Sequence, residues 1–168
     1  MSKISITKGK LLKGDKVVVE FEKRDSNNAK PTHCSEESFG KPHKDLTTAF
    51  NALALHAALL GEFVGTAMVP DIDNPNPELF RDFTVTGITI SGGDEDKGVV
   101  ISAYKTLKNG KTMHFNTPNT RFSDESEKAY PFLTELDDAI TLCEDELREY
   151  LNGKVGPDTQ GSLEFEAQ

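Results

Sequence analysis

Stretches in which apolar and polar residues alternate one by one are interleaved along this chain with two stretches in which apolar residues recur every three or four positions. Ile4 and Ile6 alternate with Ser5 and Thr7; after a turn region from Gly9 to Gly14, Val17, Val19 and Phe21 alternate with Val18, Glu20 and Glu22. A period of two sends successive side chains to opposite faces of a strand, so this segment predicts an antiparallel hairpin with one buried face. From Asp45 the period changes. Leu46, Phe50, Leu53, Ala57, Leu60 and Val64 fall on one helical stripe, with Asp45 as the N-cap and Gly61 or Gly65 as the end. Within 52–60 His56 alone is polar, which predicts a central helix covered on two sides.

Residues 83–118 predict three further strands. Phe83 and Val85 alternate in one phase and Ile88 and Ile90 in the other, so a β-bulge is expected at Gly87, where the phase slips. Val99, Ile101, Ala103 and Leu107 share a face of the next strand, and Met113 and Phe115 lie on the one after. A two-residue Asn109-Gly110 loop would put Phe115 opposite Tyr104, on the face away from Ile101. A three-residue loop over 108–110, with Gly110 left-handed, instead pairs Leu107 with Lys111, Ala103 with Phe115 and Tyr104 with His114, and keeps the apolar residues together. The second register is the one predicted. Leu133, Leu136, Ile140, Cys143, Leu147 and Tyr150 then form the stripe of a closing helix from about Pro131 to Asn152, stopped by Gly153.

Two stretches rich in turn formers, 25–43 and 69–81, read as irregular connections, and the first is longer than a structural join usually is. The expected architecture is an α+β fold in the order ββαβββα, a mostly antiparallel sheet with its helices packed on one face. It occupies a single domain over residues 1–156, followed by a flexible tail over 157–168.

Composition narrows the setting. Two cysteines, Cys34 and Cys143, are too few for a disulfide framework, and no N-terminal apolar stretch resembles a signal peptide, which points to a cytoplasmic protein. The longest apolar run, Ala52 to Leu60, is far short of the roughly 20 residues that cross a bilayer, so no membrane span is expected. The net charge of −9 is unevenly spread: residues 1–60 hold 10 Lys/Arg against 7 Asp/Glu, and residues 61–168 hold 9 against 21. Such a protein repels the phosphate backbone at long range, and nucleic-acid binding would need a local basic surface.

The candidate chemistry follows from these patterns. No phosphate-binding loop, dinucleotide fingerprint, HExxH or GxSxG motif occurs, so no cofactor, metal or catalytic residue is assigned. An enzyme would need His33, Cys34 or His43 of the 25–43 loop to meet carboxylates in a pocket. The acidic turn from Gly93 to Gly98, and Asp71 with Asp73, lack the remaining ligands of a calcium loop and read as solvated turns. Alternation leaves Ser102, Tyr104, Thr106, Thr112, His114 and Asn116 on the face turned away from the apolar set, where Tyr104 and His114 offer stacking rings beside hydrogen-bonding groups. The N-terminal hairpin, with Lys3, Lys8, Lys10, Lys13, Lys16, Lys23 and Arg24, is the region able to attract phosphates. The closing helix carries Glu135, Asp137, Asp138, Glu144, Asp145, Glu146 and Glu149 opposite its apolar stripe, an acidic face suited to a basic partner.

The strings Phe83-Thr84-Val85-Thr86-Gly87-Ile88-Thr89-Ile90-Ser91, Gly98-Val99-Val100-Ile101-Ser102-Ala103 and Asn116-Thr117-Pro118, preceded by Asp45-Leu46 opening an apolar helix, resemble small uncharacterised proteins encoded by tailed bacteriophages and prophages. The resemblance covers residues 43–118 and implies a protein made in the bacterial host cytoplasm, alongside genes of DNA metabolism or host interaction. It transfers no catalytic residues. The expectation is a non-enzymatic accessory protein that binds a macromolecule through the sheet face or the acidic helix. As a single-stranded nucleic-acid binder it would use Tyr104, His114, Asn116, Lys8 and Lys10; as a protein-binding adaptor it would use Glu144, Asp145 and Glu149. A second copy of the chain is a further candidate partner, since the apolar excess of the 45–64 helix can be buried within one chain or between two.

Overall fold

A computed structural model describes residues 3–13, 16–26, 29–38, 41–93 and 95–156. The elements are strands β1 (Lys3–Leu12), β2 (Lys16–Arg24) and β3 (Thr32–Ser38), helices α1 (Lys44–Asn51) and α2 (Ala54–Leu60), strands β4 (Phe83–Ser91), β5 (Gly98–Thr106), β6 (Thr112–Asn116) and β7 (Thr120–Arg121), and helix α3 (Leu133–Leu151). Single 3-10 turns at Thr66–Met68 and Pro77–Leu79 lie in the 69–81 connection and just before it. The fold is the expected α+β arrangement. Its seven-stranded sheet runs β3-β2-β1-β4-β5-β6, with β7 also on β5, and every described pairing is antiparallel.

The helices cover one face. Ile6, Val17, Val19, Phe21, Phe83, Val85, Ile88, Val99, Ile101 and Ala103 point toward Leu46, Phe50, Leu53, Leu136, Ile140 and Leu147 in one hydrophobic core. α1 packs on α3 and β4, α2 on β4 and β5, and α3 on β1. Gly9, assigned above to a turn, lies inside β1 and is buried there. A methyl group on it would stand 2.5 Å from Leu147 Cδ1, so the missing side chain is what lets α3 approach the sheet.

The register expected of the β5–β6 hairpin is observed: Ala103 pairs with Phe115 and Tyr104 with His114, and Gly110 adopts φ +82° while Leu107 N–H donates to the Lys111 carbonyl at 2.7 Å. The β4 bulge also falls where the phase slips, between Val85 and Gly87. Gly153 takes φ +101° after α3, with Lys154 N–H donating to Glu149 O and Gly153 N–H to Tyr150 O, a Schellman end.

Other expectations are corrected. The 25–43 connection contains β3, which pairs with β2 along its length. Its residues are polar on both faces, and backbone pairing with a neighbour creates the strand where periodicity gives no signal. The 45–64 helix is two helices broken at 52–53, where Leu53 N–H turns back to Phe50 O. Its N-cap is His43, whose Nδ1 accepts from the Asp45 N–H at 3.1 Å, so Asp45 belongs to the first turn. α2 ends with Gly61 at φ −79° and with Glu62 in the left-handed position, φ 61°. α3 begins at Leu133, two residues after Pro131. The tail at 157–168 and Asp94 of the acidic turn lie outside the described residues. Among the described residues no helix is long and apolar enough to cross a membrane.

Candidate functional site

Cross-strand partners point to the same side of a sheet, so the pairings locate each polar side chain. One row runs Lys10, Gly87, Ser102, Asn116 from β1 to β6. A neighbouring row runs Glu20, Lys8, Thr89, Val100, and another runs Thr84, Tyr104, His114. All belong to the face opposite the helices. Because β1 rather than β2 pairs with β4, two lysines of the N-terminal hairpin share this face with the aromatic and amide groups of the meander.

Strand spacing puts the Lys10 and Tyr104 backbones about 12 Å apart, from two strand intervals across and two residues along. The Tyr104 and His114 rings lie 5.4 Å apart at 51°, and Thr112 Oγ1 stands 3.5 Å from His114 Nε2. Ser102 Oγ donates to Asn116 Oδ1 at 2.7 Å. A methyl group on Gly87 would meet Lys10 Cγ at 3.1 Å, so the lysine stem crosses the bare backbone there. The Lys8 ammonium beside it lowers the pKa of Lys10. Glu20, 4.0 Å from Lys8, opposes that shift and supplies part of the balancing charge for both lysines.

This positive strip continues along β1. Lys3 pairs with Arg24 on the same face, and both line a cleft of about 630 Å³ between β1 and β4 together with Lys97, Arg148, Glu22 and Glu144. On the β2–β3 flank the charges are matched internally, with Lys16 on Glu37, His33 on Glu22 at 3.5 Å and Lys8 on Glu20 at 4.0 Å. The β4–β6 flank of the face bears Thr84, Thr89, Val100, Ser102, Tyr104, Thr106, Thr112, His114 and Asn116, with no lysine, arginine or carboxylate among them. Thr84 and Thr89 escaped the sequence reading, although alternation continued through the bulge would have found them.

The acidic-helix site is rearranged by the structure. Glu144 is 8 % exposed, its carboxylate 2.6 Å from Lys97 Nζ and 3.8 Å from Arg148, so it is not available on the outer face. It falls between Ile140 and Leu147 at the flank of the buried stripe, and a helical period puts it there. Glu146 turns toward Lys154, which also holds Asp45 at 2.8 Å. Asp145 and Glu149 remain exposed, with Asp145 paired to Arg148 at 3.2 Å.

The His/Cys loop does not assemble. His33 and Cys34 are successive residues of β3 and point to opposite sides of the sheet, Cys34 across from Phe21, while His43 caps α1. Among the described residues no group of three or more His, Cys, Asp or Glu could hold a metal ion. Cys143 is fully buried and donates to the Ala49 carbonyl at 3.3 Å, and burial pushes its thiol up to about 12.

A pair missed from sequence lies on the helix side. His56 is 5 % exposed, with Nδ1 2.6 Å from Tyr130 Oη; burial lowers the imidazole to about 4 and raises the phenol, with Glu135 adding to the latter. A protonated phenol and a neutral ring share this hydrogen bond, the tautomer of His56 setting which of them donates. Tyr130 also lines a cavity of about 850 Å³ whose charged residues are of both signs, Arg121 and Lys128 against Glu62, Asp124 and Glu125. The signal for His56 was its isolation in an apolar run; its partner lies 74 residues away.

Comparison of the chain with protein-family models, with curated proteins and with solved structures gives no match.

Proposed function

We propose that this protein binds single-stranded nucleic acid across the open face of its sheet, bases stacking on Tyr104 and His114 and phosphates passing Lys10, Lys8 and, further along β1, Lys3 and Arg24. The observation that carries this reading is the β1–β4 pairing, which brings the basic strand beside the uncharged aromatic strands. Rings accept any base, and flanking ammonium groups accept the backbone, so the site is a sequence-tolerant platform. Asn116 and Ser102 supply amide and hydroxyl groups to base edges. The role is binding rather than catalysis, in the phage accessory setting that the resemblance implies. A protein-binding acidic helix has less support, because burial of Glu144 leaves Asp145 and Glu149 without the third carboxylate.

Fluorescence anisotropy with a labelled oligothymidine and an oligouridine tests this at two salt concentrations. Tyr104→Ala is expected to weaken binding about tenfold, within the usual range for one stacked base. Lys8→Gln with Lys10→Gln is expected to flatten the dependence of log affinity on log salt by about 0.7 per lysine. Unchanged affinity in Tyr104→Ala and an unchanged salt slope in the double variant would reject the platform.

A further inference from the structure

The two edges of the sheet are guarded differently. The β3 edge carries His33, Glu36 and Glu37, charged or chargeable groups of the kind that block strand addition. The β6 edge, Thr112–Asn116, carries no carboxylate, lysine or arginine and pairs on one side only among the described strands. Leu107 N–H donates to Lys111 O at 2.7 Å and Thr117 N–H to Ile101 O at 2.9 Å, so the bonded pairs alternate through Met113 and Phe115. The backbone groups of Thr112, His114 and Asn116 therefore point outward. On the helix side of this edge Met113 is 39 % and Phe63 38 % exposed, and Phe63 lies 4.8 Å from the Phe115 ring.

We propose that β6 is a self-association edge, pairing antiparallel with β6 of a second copy about His114. That register sets Met113 against Phe115 of the other copy on the helix side and Thr112 against Asn116 on the open side, with His114 facing His114 as a bonded pair. Every outward-pointing backbone group of the strand is then used. Lys111 falls opposite Thr117, so no like charges meet. The edge is complementary to itself, which is why a second copy is the occupant rather than a foreign strand. A twofold axis perpendicular to the sheet keeps both open faces on one side and makes a row of rings, Tyr104, His114, His114, Tyr104, across the seam. This last consequence rests on the nucleic-acid reading of the face; the pairing does not.

Sedimentation velocity of the full chain over a range of concentrations tests the pairing without any ligand. The wild type is expected to sediment as a dimer. Thr112→Pro removes one outward N–H and leaves the bonds to β5 intact, and Met113→Lys places an ammonium against Phe115; each is expected to give a folded monomer by circular dichroism. Met113→Lys keeps the test alive should the proline variant not fold. A wild type that stays monomeric at its highest soluble concentration, or a dimer that survives both substitutions, overturns the proposal. A monomer that still binds oligonucleotide overturns the pairing and leaves the platform standing; a dimer with no affinity for oligonucleotide does the reverse.

Discussion

The covered and open faces of the sheet treat polar groups in opposite ways. On the covered side three of the polar groups named above are tied to distant partners, His56 to Tyr130, Glu144 to Lys97 and Cys143 to the Ala49 carbonyl, while the buried Tyr150 hydroxyl bonds to none of the described residues. Burial there moves pKa values strongly, to about 4 for His56 and about 12 for Cys143. On the open side the side chains bond to near neighbours on adjacent strands, and the shift at Lys10 comes first from another cation. A partner deep in the protein is committed to the fold, whereas a hydroxyl or ring beside water can be given to a ligand at little cost. Substitutions should therefore separate cleanly, stability answering on one side and binding on the other.

The largest expected effect is on the covered side. His56 binds a proton at about 4 when folded and near 6.5 when unfolded, so its contribution is complete above pH 6.5 and is lost as the pH falls toward 4. That limb amounts to about 3 kcal/mol, measurable as urea midpoints across the range. His56→Gln, uncharged throughout and able to accept from Tyr130, should flatten it. Next, Glu144→Ala leaves Lys97 without its carboxylate and should cost about 2 kcal/mol in denaturant unfolding, less than a fully buried pair because Lys97 keeps some solvent. Nucleic-acid affinity should not follow, and a parallel fall in both would show that the faces are coupled.

Tyr104→Ala should show the converse. Its tenfold loss of affinity equals about 1.4 kcal/mol, while the unfolding midpoint should move by less than about 1 kcal/mol because the ring is half-exposed. The smallest effect concerns neither ligand nor core. Glu62 holds a left-handed conformation that disfavours any side chain, so Glu62→Gly should raise stability by about 1 kcal/mol in the same unfolding experiment and leave affinity unchanged.

Local rules were legible in the sequence where they acted alone. The phase slip at Gly87 and the handedness demanded of Gly110 fixed a bulge and a register before any tertiary contact was known, and the apolar stripe of α3 named its buried residues. Contacts between distant segments were not legible. Alternation in β1 says which side chains are buried but not that β4 is the neighbour, and the meeting of Lys10 with Ser102 and Asn116 depends on that neighbour. β3 was hidden because Thr32–Ser38 has no apolar face of its own beyond Cys34. Glu144 looked like its exposed neighbours Asp145 and Glu149 because one step around a helix separates a solvated carboxylate from one lodged between a core stripe and a lysine.

The join between the hairpin and the meander is narrow. β1 and β4 meet through Lys8, Gly9 and Lys10 against Thr89, Ile88 and Gly87, whereas β1 and β2 are paired from Lys3 to Leu12. Amide hydrogens at this join should exchange with deuterium before those of the β4–β5 ladder, since few bonds must open to release them. On the proposed platform each such opening would carry the ammonium groups away from the rings, and the lifetime of a bound oligonucleotide should then follow how long three residue pairs stay zipped.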